Sequence, residues 1–284
     1  MRLPHLLHIS TVSRRLASAP TSRSIHSLCL LVVVLLTNSP VTAQDAAWGT
    51  LRGRFLFEGP LPAIEKLQIE RDSEVCGLTG LVDESLVIHQ ENRGLQNVIL
   101  WLESKTPVPV HPDYLNNAPK PARLDNNGCR FEPRVVQLRT GQSLELRNSD
   151  PVAHNAAAWL KRSTPFNEVI PIGQSTQRII RKAETLPARV DCSIHAWMRA
   201  WLVVLDHPYS AVTDKDGRFE LTNVPAGQWR IRMWHERPGN LTELEQDGRP
   251  QTLDKGALTL TIPADGELDL GDLKLTATQL KPKK

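Results

Sequence analysis

The sequence predicts an all-β protein composed of two sandwiches. Short apolar segments alternate with turn residues along most of the chain, which is typical of antiparallel strands. No long segment shows the 3.6-residue apolar period of a helix, and only "NLTELEQ" fits a short one. Residues 44–284 are long enough for two ordinary domains.

Residues 1–43 have the features of a secretory signal peptide. Four arginines precede the apolar run "LCLLVVVLLT", and the small residues Val41 and Ala43 suit cleavage before Gln44. The run is too short to span a bilayer, so we expect no membrane span after cleavage; an uncleaved anchor is the alternative. The sequence therefore predicts a periplasmic or secreted protein.

The charge distribution argues against a nucleic-acid partner. The formal net charge is +3, but the signal contributes four arginines and no acid, so the remainder is near neutral. The one notable basic run, "KPKK", ends a predicted flexible tail at 277–284. Nucleic acid and anionic membranes are therefore not expected partners.

Two strands are predicted before a proline-rich crossing. The segment "GTLRGRFLFE" at 49–58 places its large apolar residues on one parity, and "NVILWLE" at 97–103 is a second apolar run. Five prolines between 105 and 121 prevent regular pairing, so this stretch is predicted to be a loop between domains.

Residues 122–207 and 208–276 continue the pattern of short strands. The first range contains "RVVQLRT", "SLELRNS", "STQRIIRKA" and "ARVDC", and "AWLVVLD" is apolar on both faces, as in the middle of a sandwich. The second contains "GRFELTNVPAGQWRIRMWHE", "ALTLTI" and "LDLGDLKL". Within "MWHE", His235 and Glu236 are expected to form a satisfied surface pair.

The stretch "DCSIHAWM" contains three soft metal ligands. Cys192, His195 and Met198 follow the spacing C-x2-H-x2-M, and His154, after the strand "SLELRNS", supplies a second imidazole. Imidazole suits oxidised copper, whereas thiolate and thioether suit reduced copper, so the set predicts one type 1 copper ion. Four protein ligands leave no position for a substrate, which favours an electron carrier over an enzyme.

The segments "FEPRVVQLRTGQSLELRNSDPVAHN" and "LPARVDCSIHAWMRAWLVVLD" resemble the plastocyanin/amicyanin family of cupredoxins. The resemblance covers about 122–207 and implies a Greek-key sandwich. It implies four copper ligands: His154, Cys192, His195 and Met198. It also implies that Asn155 hydrogen-bonds the ligand loop and that His195 lies near the surface as the electron route. Ala196 stands where this family often has proline.

The cysteine count is odd once Cys29 leaves with the signal. If Cys192 binds metal, Cys76 and Cys129 remain, and a disulfide between them is the economical inference in an oxidising compartment. In the alternative interpretation Cys192 pairs with one of these two, and the histidines and methionine are ordinary core or capping residues. Zinc would accept the cysteine and histidines, but methionine is a poor zinc ligand.

The segment "VTDKDGRFELTNVPAGQWRIRMWHE" resembles the carboxypeptidase regulatory-like, transthyretin-like sandwich, which is grouped with carbohydrate-binding-like modules. The usual first strands of that fold match "LRGRFLFEG" and "LQNVILWLE". We therefore expect 45–104 and 208–276 to form one discontinuous domain into which 122–207 is inserted. A tandem arrangement is the alternative.

The leading functional hypothesis is an exported type 1 copper protein that carries single electrons between redox partner proteins. The alternative is a secreted module that binds a polysaccharide or a protein, with copper structural or stored. The amicyanin resemblance also implies a third reading, an accessory subunit for amine oxidation. No nucleophile with its base, paired-carboxylate cleft or phosphate loop is recognisable, so an autonomous hydrolase or transferase is not expected.

Overall fold

Nineteen β-strands dominate the part of the chain that the computed structural model describes, residues 47–117 and 119–282. The predicted all-β class is confirmed, whereas the predicted signal peptide lies outside the described residues. The described helices include none long and apolar enough to cross a membrane. In chain order, the strands are β1 (Trp48–Glu58), β2 (Ile99–Glu103), β3 (Ala122–Asn126), β4 (Phe131–Glu132), β5 (Val135–Arg139), β6 (Ser143–Asn148), β7 (His154–Ala158), β8 (Phe166–Ile170), β9 (Ser175–Ile179), β10 (Ala188–Asp191), β11 (Arg199–Leu205), β12 (Ser210–Val212), β13 (Arg218–Pro225), β14 (Gly227–His235), β15 (Gly239–Asn240), β16 (Glu243–Gln246), β17 (Arg249–Thr252), β18 (Ala257–Ile262) and β19 (Glu267–Thr276).

Strands from both ends of the described chain form a first sandwich, which we call the outer sandwich. One sheet has the order β13-β1-β19-β16-β17, and the other has the order β12-β2-β14-β15, with β18 also paired to β14. The β1–β19 pair is parallel, while β2 runs antiparallel to β12 and β14. Leu51, Phe55 and Phe57 share one parity of β1 and lie in the core between the sheets.

Strands β3 to β11 form a second sandwich, which we call the inner sandwich. Its sheets have the orders β5-β11-β10-β7-β8 and β4-β3-β6-β9, with parallel pairs at β5–β11 and β3–β6. Its core contains alternate residues of β11, including Leu202 and Val204. The small side chains of Ala156 and Ala158 in β7 belong to the same core. The metal-ligand candidates lie at one end of this sandwich.

A third apolar cluster lies where the two sandwiches meet. Ile99 and Trp101 of β2 share it with Val203 of β11 and Trp234 of β14. Both β2 and β11 are therefore buried on two faces, which explains why their sequences are apolar at consecutive positions. The layer fixes the outer sandwich against the sheet that carries Cys192.

A buried ion pair accompanies this apolar layer, and the expectation of a surface pair at residues 235–236 is wrong. Glu236 accepts two hydrogen bonds from Arg134, at 2.5 and 2.9 Å, and a third from Trp201 Nε1. Burial lowers the pKa of His235 to about 3, with Arg237 and Arg134 adding to the effect. His235 and Glu236 thus belong to the junction between the sandwiches.

Three local features differ from the sequence expectations. "NLTELEQ" contains a strand, β16, because the left-handed Asp247 and Gly248 form a hairpin turn into β17. The proline-rich crossing contains a short helix, α1 (Pro112–Asn116), with proline at its first position. Leu280 is buried in the outer core, so packing continues past residue 276 into the segment expected to be a flexible tail.

The apolar layer between the sandwiches makes a testable contribution to stability. Trp101 is 4% exposed and Trp159 is 56% exposed, so the two tryptophans provide a matched pair. We expect Trp101→Ala to lower the free energy of unfolding by about 3–5 kcal/mol, because a large cavity opens. Trp159→Ala should cost no more than about 1 kcal/mol in the same urea titration. Equal losses would contradict a buried layer between the sandwiches.

Candidate metal centre

Neighbouring strands bring the predicted ligands to one edge of a sheet. His154 begins β7, and Cys192 directly follows β10, the antiparallel neighbour of β7. The loop after β10 closes on itself, because the Cys192 N–H donates to the Met198 carbonyl and the Met198 N–H donates to that of His195. All four side chains are at most 2% exposed. They form a buried cluster at the end of the inner sandwich.

Three donor atoms of this cluster form a compact triangle, with the two nitrogens closer to each other than to the sulfur. The two imidazole Nδ1 atoms of His154 and His195 are 3.0 Å apart. The Sγ atom of Cys192 lies 4.0 Å from the first nitrogen and 3.8 Å from the second. The point equidistant from the three atoms is about 2.1 Å from each, which matches a metal–nitrogen bond and is about 0.2 Å shorter than a metal–sulfur bond. The triangle therefore fits a single metal ion. Met198 lies in the same buried core cluster as the cysteine.

A carboxylate binds the far nitrogen of each imidazole. Asp150 Oδ2 is 2.9 Å from His154 Nε2, and Asp72 Oδ2 is 2.8 Å from His195 Nε2. A carboxylate accepts hydrogen bonds, so each Nε2 carries a proton and each Nδ1 faces the centre of the triangle. Burial acts to lower the pKa of His154, but its hydrogen bonds with Asp150 and Cys192 outweigh it and raise the pKa to about 9. Without a metal ion, a proton on His154 Nδ1 therefore forms the 3.0 Å hydrogen bond to His195 Nδ1, and a bound metal ion would take the place of that proton.

Asp150 is held in place by the backbone of the inner sandwich. Its carboxylate accepts the N–H groups of Gly128 and Cys129 at 2.6 and 2.8 Å, besides the imidazole of His154. Burial acts to raise the pKa of Asp150, but these three hydrogen bonds outweigh it and lower the pKa. The carboxylate therefore stays charged. Asp150 was not among the residues predicted from the sequence, although its position four residues before His154 was a usable signal.

Asn155 connects the ligand loop to β7. Its side-chain Oδ1 accepts the N–H of Ser193 at 2.8 Å and lies 3.3 Å from the sulfur of Cys192. Burial acts to raise the pKa of Cys192, but the hydrogen bond with His154 and nearby backbone N–H groups outweigh it and lower the pKa. The lowered pKa makes the thiolate, which is the form that binds metal, easier to reach than in a free cysteine.

His195 is not near the surface, contrary to the expectation from the resemblance. Its side chain is fully buried, with Asp72 on its Nε2 atom and the Trp197 ring 5.0 Å away. Asp72 comes from residues 59–98, the irregular stretch between β1 and β2, which we call the covering segment. The cupredoxin resemblance reaches only 122–207 and contains no information about this segment, so no local pattern pointed to Asp72.

A disulfide between Cys76 and Cys129 joins the covering segment to the inner sandwich. On one side, the Cys76 N–H donates to the carbonyl of Asp72, and on the other, the Cys129 N–H donates to the carboxylate of Asp150. Around the disulfide, Leu81 and several half-buried apolar side chains form a small cluster. The two carboxylates that bind the imidazoles are thus supported from opposite ends of one disulfide, and Cys192 is a free thiol.

Comparison with known proteins yields partial structural similarities. No protein-family model and no curated protein matches the chain. A Cu-containing nitrite reductase from Thermus scotoductus shows 22% identity over 31% of this chain and 23% of its own, with a TM-score of 0.28. A purple cupredoxin from Nitrosopumilus maritimus shows 18% identity over 29% of this chain and 98% of its own, with a TM-score of 0.25. A reduced amicyanin variant shows 16% identity over 37% of this chain and 97% of its own, with a TM-score of 0.27.

The lowered pKa of Asp150 predicts a specific pH dependence. The charged carboxylate contributes stability that is present above its ordinary pKa of 3.8 and is lost as the pH falls through the lowered value. We expect Asp150→Asn to destabilise the metal-free protein by about 1–3 kcal/mol at pH 7, with a smaller difference from wild type below pH 3.8. Urea titrations from pH 3 to pH 7 measure this difference. A difference that is constant across that range would contradict the assignment.

Proposed function

We propose that this chain is an exported type 1 copper protein that carries single electrons between redox partner proteins of the periplasm or cell envelope. The observation that carries the proposal is the buried triangle of two imidazole nitrogens and a cysteine sulfur. Imidazole, thiolate and a nearby thioether together match copper, which cycles between a harder and a softer oxidation state.

Four residues would hold the ion: His154 and His195 through Nδ1, Cys192 as a thiolate, and Met198 through its thioether. Bound copper supplies a one-electron couple. The protein orients both imidazole rings, because each Nε2–H donates a hydrogen bond to a carboxylate and Nδ1 then faces the ion. Methionine as a weak fourth ligand is the part of the proposal that distinguishes copper from zinc.

The fixed positions of the donors are what suit the site to electron transfer. Asn155 and the closed backbone of the ligand loop hold the cysteine, and the carboxylates hold both imidazole rings. Because the surroundings are packed, the donors have little room to rearrange when the charge of the ion changes. The four side chains are also at most 2% exposed, which favours a carrier over catalysis at the metal.

We also propose that 122–207 is a cupredoxin-type domain inserted into a regulatory-like sandwich formed by 45–104 and 208–276. Support comes from strand pairing. Strands β1 and β2 pair with β12, β13, β14 and β19, all of which follow the inner sandwich in sequence. The crossing at 105–121 and the short stretch 206–210 are then the two connections.

Copper binding to a protein comprising residues 44–284 tests this function. Added Cu(II) should produce an intense visible band from thiolate-to-copper charge transfer, which ascorbate bleaches and ferricyanide restores. Cys192→Ser should abolish the band, because it removes the thiolate. His89→Gln, a substitution of a half-buried histidine outside the cluster, should retain it and serves as the matched control.

The outcomes separate the parts of the proposal. A folded wild-type protein without the band would overturn copper ligation by this cluster. A band that one reductant bleaches and no oxidant restores would exclude an electron carrier and favour a storage or structural site. Retention of the band by Cys192→Ser would exclude the cysteine as a ligand.

A further inference from the structure

The covering segment contributes a group to a site that otherwise belongs to the inner sandwich. His154, Cys192, His195 and Met198 all lie within 122–207, as does Asp150 on the first imidazole. Asp72 lies 123 residues before His195 in sequence, and its Oδ2 atom is 2.8 Å from the imidazole Nε2. The hydrogen bonding around the second imidazole is therefore completed from outside the inner sandwich.

The backbone of the covering segment fixes the position of Asp72. The residue has a left-handed φ of 49°, which aspartate tolerates better than most side chains. Its carbonyl accepts the N–H groups of Val75 and Cys76 at 3.0 and 2.8 Å, in the turn that leads to the disulfide. Its own side chain is 38% exposed, so packing around the carboxylate does little to hold it. The turn and the disulfide to Cys129 are what hold it.

The Cys76–Cys129 disulfide is well placed to transmit this constraint. The half-cystine at 129 is hydrogen-bonded to Asp150, and its carbonyl accepts Nε1–H of Trp197 at 3.0 Å. Trp197 in turn lies beside the ring of His195. The disulfide is thus surrounded by groups that contact both imidazoles, and it is buried.

We propose that Asp72 is a positioning residue for His195. The covering segment contributes this residue, and the disulfide between Cys76 and Cys129 holds it in place. The proposal rests on the proposed copper function and assigns part of the site to a segment outside 122–207. The carboxylate holds the proton on Nε2, fixes the ring plane and makes Nδ1 more basic toward a metal ion. The inner sandwich therefore has its full metal site only when the covering segment is in place.

Asp72→Asn tests this role, with Asp83→Asn as the matched control. Asp83 lies in the same segment, and its carboxylate hydrogen-bonds only to Ser85 in the described structure. We expect Asp72→Asn to weaken copper binding about 10- to 100-fold in competition with a chelator, whereas Asp83→Asn leaves it unchanged. The midpoint potential should rise, because the lost negative charge had favoured the oxidised ion; a tenfold shift in the one-electron equilibrium is about 59 mV.

A measurement on the copper-free protein separates this proposal from the proposed function. Nitrogen-15 NMR of the His195 ring should report one tautomer, protonated at Nε2, in wild type and in Asp83→Asn. In Asp72→Asn, a smaller share of the His195 rings should be protonated at Nε2. Wild-type copper affinity, potential and ring signal in Asp72→Asn would overturn the positioning role and leave the copper function intact. If the wild-type protein binds no copper, but Asp72→Asn still changes the His195 ring signal, the copper function would be overturned and the positioning role of Asp72 would stand.

The double variant Cys76→Ser/Cys129→Ser tests whether the disulfide holds Asp72 beside His195. It should reproduce the weaker copper binding and the raised potential of Asp72→Asn, because the turn that presents the carboxylate is no longer tied to the inner sandwich. Combining it with Asp72→Asn should add little further effect. Full additivity of the two changes, with each variant shown to be folded by circular dichroism, would mean that the disulfide and Asp72 act independently.

Discussion

Two imidazole Nδ1 atoms and one cysteine sulfur face the same place in the protein interior. The nitrogens of His154 and His195 are 3.0 Å apart, and a carboxylate accepts the Nε2–H on the far side of each ring. Without a metal ion, a proton on His154 links the two nitrogens, since the pKa of His154 is raised to about 9. A metal ion would displace that proton and bind the nearby cysteine as well. The remainder of the structure consists largely of what is needed to hold these groups in position.

That positioning involves both sandwiches. The pairing of β7 with β10 places His154 beside the ligand loop, and the apolar layer around Trp101 and Val203 presses the outer sandwich against the same sheet. The Arg134–Glu236 pair supplements this layer with buried charge-assisted hydrogen bonds. The disulfide then connects the covering segment to the end where the ligands lie.

Features with local sequence signatures were the ones that could be predicted. The all-β class followed from strand-length apolar segments, and C-x2-H-x2-M pointed to Cys192 and His195 because the spacing itself is short. Asp150 was within reach, four residues before His154. Asp72 was not, because its contact spans 123 residues and depends on a turn and a disulfide. The strand β16 was mistaken for a helix because the left-handed Asp-Gly turn after it outweighs a short apolar period.

X-ray absorption at the copper edge of the loaded protein counts the atoms that surround the ion. If His154, His195 and Cys192 bind one ion, the spectrum should contain two nitrogen neighbours and one sulfur neighbour at about 2.0–2.3 Å. Imidazole multiple-scattering features should accompany the nitrogen shell. A shell of nitrogen and oxygen alone, without a short sulfur contact, would contradict the convergence of His154, His195 and Cys192 on one ion.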